Sequence, residues 1–340
     1  PRYAGPPVRL AVVGCGAVTE IYHLPALARL GVRPEVLVDA DLDRARAMAA
    51  TCGAGRVGRS HEAVIGAADA AIVAVPIGAH AEVATALLAG GVHVLCEKPL
   101  AATAEEAATI VAAAGEHSRT LAIGLMRRFV GLNRWLKAAL DAGSFGPVAS
   151  FEHREGYRFQ WPITSTRFFN PANGILADLG SHAIDLALWF FGAPDRIDYR
   201  DTAYGGTETD CLLEARFGPA GVPGRIELSR GRQLNGHLTV VTERATIELD
   251  HFAAWARVTP RPGAEAAAGG ARPRRRRQEG IDLFTEQHAD FLTAVATGGA
   301  PSGATPAEAL AGLEVVLACY RQRRRWDLPW VPAAGALPAP

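Results

Sequence analysis

Two rhythms of apolar and polar positions divide the chain. Up to about residue 125, short apolar runs at 8–13, 35–39, 56–57, 70–75, 93–97 and 121–124 alternate with segments of helical period such as 61–67, 79–89 and 104–114. Continuous apolar runs of strand length predict strands buried on both faces, and their alternation with helices predicts a doubly wound parallel sheet. Beyond residue 147 the rhythm changes. Runs at 148–157, 196–204, 209–217, 225–229, 237–242 and 245–250 predict an open, mostly antiparallel sheet. Two late helical segments, 281–296 and 305–324, are expected to return and cover the assembly. The fold class is α/β in two parts, with no internal repeat.

One helix of the second part breaks its own apolar pattern. In Asp178-Leu-Gly-Ser-His182-Ala-Ile-Asp185 the polar residues fall at i, i+4 and i+7, a spacing that predicts one stripe with neighbours roughly 5 to 6 Å apart. Leu179, Ala183, Leu186 and Phe190 form one flanking stripe, and Ile184, Ala187 and Phe191 another, so little of this helix faces water. A carboxylate buried without a partner is costly. These acids must meet one another, a cation or a polar ligand.

The first apolar run leads into Gly14-Cys-Gly16-Ala-Val-Thr19, which resembles a dinucleotide fingerprint. Gly14 permits the tight turn, Gly16 lets backbone approach a pyrophosphate, and the helix that follows offers its N-terminal N–H groups to phosphate. Thr19 stands where a third Gly or Ala is usual. The second strand ends in Asp39, about 23 residues past Gly16, where an acid binds both ribose hydroxyls of an adenosine. Ala40 and Asp41 follow. A 2′-phosphate would meet two carboxylates there, with Arg44 to offset them, so NAD is favoured over NADP.

Cys96-Glu97-Lys98-Pro99 sets a lysine just past the fifth strand, at the sheet edge where open α/β folds hold ligands. Beside a nicotinamide ring it would donate to a substrate oxygen and stabilise alkoxide character; in a bare turn it would be solvated. Composition narrows the classes further. The 340 residues hold 35 acids and 35 Lys plus Arg, so no global field attracts nucleic acid or an anionic membrane. No apolar segment reaches membrane-spanning length and the N-terminus lacks the apolar core of a signal peptide, which predicts a cytoplasmic protein. Five cysteines without a CxxC pair read as reduced thiols, with Cys15 either a reactive site or a small filler. The Pro-, Gly- and Ala-rich insert ending in Arg272-Pro-Arg-Arg-Arg-Arg277 reads as a surface loop or a clamp for an anion.

Five blocks in order resemble the glucose-fructose oxidoreductase and inositol dehydrogenase family, Gfo/Idh/MocA. They are Gly14-Cys-Gly16 with His23-Leu-Pro25, Ala74-Val-Pro76 with His80, Glu97-Lys98-Pro99, Gly124-Leu-Met-Arg-Arg-Phe129, and Asp178-x-Gly180-x-His182-x-x-Asp185. The resemblance covers nearly the whole length. It implies a Rossmann domain over 1–125, a substrate and oligomerisation domain with an open sheet over 126–325, a tail over 326–340, and a homodimer or homotetramer. Cofactor contacts are implied for Gly14, Gly16, Ala17, Val18, Asp39 and Ala40, for Val75, Pro76 and His80, and for Glu97 and Lys98. Lys98, Asp178 and His182 match the family's catalytic positions. Arg127 and His153 resemble substrate contacts of the inositol enzymes. With His at 182 where sugar ketoreductases use Tyr, the chain looks more like the inositol dehydrogenases. The longer, more aromatic segment 151–173, with Trp161, Pro162, Arg167 and Phe168, departs from that subgroup.

The expected reaction is reversible oxidation of a secondary alcohol on a sugar, cyclitol or glycoside, with hydride passing to nicotinamide. His182 would be the general base and Lys98 would polarise the same oxygen. Asp178 would orient His182 or bind an adjacent hydroxyl, Asp185 another, and Trp161 would cover an apolar ring face. Asp178 and His182 could instead hold a metal with His153 or His288, but Lys98 offers a cation and no metal is required. Redox-assisted glycoside cleavage or epimerisation with NAD recycled in place is the alternative reaction. A dinucleotide or sugar sensor is the alternative class, against which the joint presence of Lys98, Asp178 and His182 argues. His23, His61, His93, His117 and His251 read as structural or surface residues.

Overall fold

The structure, a computed structural model, describes residues 3, 5–158, 174–203, 207–234, 236–250, 254–263 and 280–329. In chain order the elements begin with β1 (Leu10–Val13), α1 (Leu24–Leu30), β2 (Val36–Val38), α2 (Leu42–Cys52), β3 (Arg56–Gly58), β4 (Ala70–Val73) and α3 (His80–Ala89). β5 (His93–Cys96), α4 (Ala104–Glu116), β6 (Leu121–Ile123), α5 (Gly131–Asp141), β7 (Val148–Gly156) and α6 (Ser181–Phe191) follow. Next come β8 (Pro194–Asp201), β9 (Asp210–Phe217), β10 (Val222–Ser229), β11 (His237–Thr242), β12 (Ala245–Asp250) and β13 (Trp255–Pro260). The last are α7 (Gly280–Thr297), α8 (Pro306–Arg321) and β14 (Arg324–Arg325). The chain forms two compact units, 1–130 with 278–313, and 131–277 with 314–340. Segment 278–313 thus belongs to the first unit, where 126–325 was expected to form one domain.

The first unit is built on a parallel sheet in the order β3-β2-β1-β4-β5-β6. Every residue of β1 and β4 is buried, as continuous apolar runs require of strands covered on both faces. Leu10, Val12, Leu37, Ile72 and Leu95 from the strands meet Leu27 of α1 and Phe291 and Leu292 of α7 in one core. That contact draws α7 into this unit. α4 starts on a capping box in which the Thr103 hydroxyl accepts from Glu106 N–H and the Glu106 carboxylate accepts from Thr103 N–H. The helix predicted over 61–67 is only a 3-10 turn, His61–Val64, with Gly66 at φ 77° two residues beyond it.

The second unit holds an eight-stranded sheet in the order β13-β12-β11-β7-β10-β9-β8-β14. The β7–β10 and β8–β14 pairs are parallel and the others antiparallel. α5 and β13 were not among the expected elements. Along β7 the residues Phe151, His153 and Glu155 are buried and pair with Gly224, Ile226 and Leu228 of β10, so all six share one face. Phe191 of α6 stacks on Phe151 with ring centroids 4.2 Å apart, which identifies that face as the one the helix covers. The opposite face carries charge. There Arg225 pairs with Glu152 at 3.2 Å, with Glu214 at 3.1 Å and with Glu227 at 3.3 Å.

Candidate functional site

In the first unit the strand order reverses between β1 and β4, and the glycine turn lies at their carboxyl ends. Gly14 has φ 103°, and a Cβ there would stand 2.3 Å from the Ala74 carbonyl oxygen, so only glycine fits. At Gly16 a Cβ would meet nothing within 4 Å, which leaves the backbone open to a ligand. Thr19 explains its place in the fingerprint: its buried hydroxyl donates to the Gly14 carbonyl at 2.6 Å and ties the π turn Thr19–His23 to the glycine turn. Asp39 Oδ2 accepts from Cys15 N–H at 2.8 Å and its Oδ1 from Asp41 N–H at 2.8 Å. Each oxygen keeps a further lone pair for a hydroxyl. An open glycine backbone, the helix start at Ala17 and Val18 and an acid at the end of β2 fit a dinucleotide.

Past β5, Lys98 is partly buried and its N–H donates to Glu97 Oε2 at 3.1 Å. The other Glu97 oxygen lies 3.2 Å from His23 Nε2. Burial raises the Glu97 pKa, but the His23 hydrogen bond and the charges of His23 and Lys98 outweigh it and hold the carboxyl below its usual range. His23 Nδ1 lies 2.9 Å from His288 Nε2. Complete burial, with His23 alongside, pushes the His288 pKa well below its ordinary value, so His288 is neutral. His23, read from sequence as structural or surface, is the buried centre of an acid–imidazole–imidazole chain.

His80 is 2% exposed. Its Nε2 faces the Val75 carbonyl at 2.9 Å and its Nδ1 the Pro99 carbonyl at 2.9 Å, so the ring ties the loop after β4 to the loop that carries Lys98. Burial lowers its pKa against the pull of those carbonyls. Arg127 is partly buried on the 3-10 turn Met126–Phe129. Its neighbour Arg128 is almost wholly buried and pairs with Glu308 at 2.9 Å.

In the second unit the acid-histidine segment departs from the expected spacing. Leu176–Gly180 is a π turn that leads into α6. A π turn accommodates one more residue than an α turn, so the segment does not keep the strict α period that the predicted i, i+4 stripe assumes at Asp178. Its carboxylate accepts from Arg230 Nη2 at 2.8 Å, with side chains 30% and 6% exposed. Sequence reasoning offered Lys98 as the balancing cation and missed Arg230. The signal was the period of two along β10: residues 224, 226 and 228 face α6, and 230 continues that series.

His182 and Asp185 are buried on α6, 5% and 3% exposed. His153 is buried on the covered face of β7, its Nε2 3.2 Å from Glu155 Oε2. Glu155 was not expected. Trp161, Pro162, Arg167, Phe168, His251 and Arg272 to Arg277 lie outside the described residues. Among the described residues no helix is long and apolar enough to cross a membrane.

Residues 8–125 match the oxidoreductase family model described as an NAD-binding Rossmann fold, and residues 133–248 match the GFO/IDH/MocA C-terminal domain. The chain is 31% identical over 196 residues to the Schizosaccharomyces pombe oxidoreductase C115.03, covering 56% of this chain and 53% of that one. It therefore spans about half the length of that relative. The myo-inositol dehydrogenase Hyg17 of Streptomyces leeuwenhoekii is 30% identical over 350 residues, covering 95% of this chain and 99% of its own. The WlbA dehydrogenase of Bordetella pertussis, solved with NADH and UDP-GlcNAcA, has the same fold, with a TM-score of 0.80 at 21% identity over 93% of this chain and 95% of that one. The chain belongs to the Gfo/Idh/MocA oxidoreductase family.

Proposed function

We propose that this chain is an NAD-dependent dehydrogenase that oxidises a secondary alcohol on a sugar, cyclitol or glycoside, or reduces the corresponding ketone. One observation carries the reading above the others: a histidine and an acid, His182 and Asp178, stand on the buried site segment of a family whose relative Hyg17 is named a myo-inositol dehydrogenase. The glycine turn and Asp39 would hold the dinucleotide, whose nicotinamide supplies the carbon that accepts hydride. Asp39 and Asp41 would oppose a 2′-phosphate, and Arg44 and Arg59 are cations close by: Arg44 lies 4.0 Å from Asp41, and Arg59 donates to the Ala40 carbonyl at 3.3 Å. The preference for NAD rests on Asp39, whose carboxylate would accept from the ribose hydroxyls at the place a 2′-phosphate would occupy.

His182 takes the hydroxyl proton as the carbinol carbon loses hydride, a contribution typically worth about 10² to 10⁴ in rate. Lys98 donates to the substrate oxygen and stabilises its alkoxide character. Asp178 anchors Arg230 and binds an adjacent hydroxyl, and Asp185, His153 and Arg127 read the remaining hydroxyl pattern. The burial of His182 and Asp185 supports a water-poor site in which such hydrogen bonds discriminate between polyols.

The test is NADH formation with a panel of inositols, free aldoses, nucleotide sugars and aminocyclitol glycosides, run with NAD and with NADP. Turnover of one class, preferring NAD, is expected. Release of aglycone or epimer without net NADH would replace the reading with cofactor-recycling chemistry, and tight NADH binding without any turnover would replace it with a sensor.

A further inference from the structure

The first N–H groups of a helix have no partners within it and need them from elsewhere. At the segment that carries Asp178 those partners come from two residues distant in sequence. Ile175 N–H donates to the Glu208 carbonyl at 3.2 Å and Leu176 N–H to Glu208 Oε1 at 3.1 Å. Ala177 N–H donates to the Tyr320 hydroxyl at 3.3 Å, and that hydroxyl donates to Glu208 Oε1 at 2.8 Å. Glu208 is 1% exposed and also lies 3.4 Å from Arg323, which in turn donates to Asp201. A Cβ on Gly174 would stand 1.9 Å from Glu208 Oε1, so the carboxylate fills the space that glycine leaves.

These contacts converge on the start of the π turn. A π turn is rare because an α turn is ordinarily the better arrangement, and it persists where its surroundings hold it. Reversion to α geometry would take the extra residue out of the turn and rotate Asp178 relative to α6, which alters its pairing with Arg230. The Ser181 hydroxyl donates to the Ala177 carbonyl at 2.5 Å and secures the far end of the same turn.

We propose that Glu208 and Tyr320 are positioning residues that hold the Leu176–Gly180 π turn and thereby keep Asp178 on Arg230, next to the helix that carries His182. The role rests on the dehydrogenase reading above, since it matters to turnover only if those two residues act in it. Neither residue touches the reacting atoms in this account. Their effect passes through the helix start, so it belongs to kcat and leaves dinucleotide binding alone.

The experiment compares Tyr320→Phe, Glu208→Gln and His182→Ala with the wild-type chain, using the panel polyol turned over fastest. Tyr320→Phe removes one hydroxyl and little volume. It is expected to lower kcat about 10-fold, within the loss that a misplacement of about 1 Å produces, with KM for NAD within about twofold. Amide hydrogen exchange over residues 175–178 should rise about 10-fold in the same variant. Glu208→Gln should lower kcat at least as far, and the two changes together should fall short of multiplying. Unchanged kcat and unchanged exchange in Tyr320→Phe, with turnover lost in His182→Ala, would overturn the positioning role alone. Full turnover in His182→Ala would overturn the general-base role of His182 and the positioning role that rests on it, whereas no NADH formed by the wild-type chain from any panel polyol would overturn the dehydrogenase reading.

Discussion

Single side chains in this protein take their behaviour from burial. Cys15 is 2% exposed, and burial with the Asp39 charge beside it pushes its thiol up to about 12. It is a filler beneath the glycine turn. Cys52 is partly exposed while Cys15, Cys96, Cys211 and Cys319 are buried. Alkylation of the native protein at pH 8, followed by peptide mass analysis, should therefore label Cys52 first and leave Cys15 unmodified; early loss of Cys15 would show that the turn opens. His288 makes a pH prediction. Its folded pKa lies well below the unfolded value of about 6.5, so below that pH the unfolded chain binds a proton that the folded chain refuses. Stability should fall as pH drops below about 6.5, and His288→Gln should flatten urea unfolding between pH 5 and 6.5 by about one proton. An unchanged slope would mean that His288 is not held neutral. Arg230→Met would remove the guanidinium from which the largely buried Asp178 carboxylate accepts, and a loss of about 3 kcal/mol on urea unfolding is expected.

Several of the candidate site residues lie in loops and turns at element ends, and these differ in how far sequence discloses them. The parallel strands were legible because burial on both faces writes a continuous apolar run, and the glycine turn because only glycine takes φ 103° against the Ala74 carbonyl. Gly14→Ala tests that contact: it should raise KM for NAD at least 10-fold and lower the melting temperature, whereas unchanged values would place the cofactor elsewhere. The π turn at Leu176–Gly180 was not legible, since one extra residue in a turn leaves no mark on composition. Nor were the partners supplied by distant segments. Arg230 meets Asp178 from 52 residues away, and His288 meets His23 across 265. Local patterns establish faces and caps, but they do not name which residue of a distant element will arrive at a given spot.

Taken together, each unit contributes a separate part of the expected machinery. The first carries the switch-point turn, Asp39 and the Glu97-Lys98 loop; the second carries the segment with Asp178, His182 and Asp185. Balanced charge, 35 acids against 35 bases, gives the chain no global field of one sign. The division of labour predicts that hydride chemistry and dinucleotide binding respond separately to substitution. The most direct test measures NADH formation and NADH affinity side by side in the wild-type chain and in His182→Ala. A kcat lower by about 10² to 10⁴ with NADH affinity within twofold is the result that a general base at 182 requires. Turnover equal to wild type in His182→Ala would contradict it.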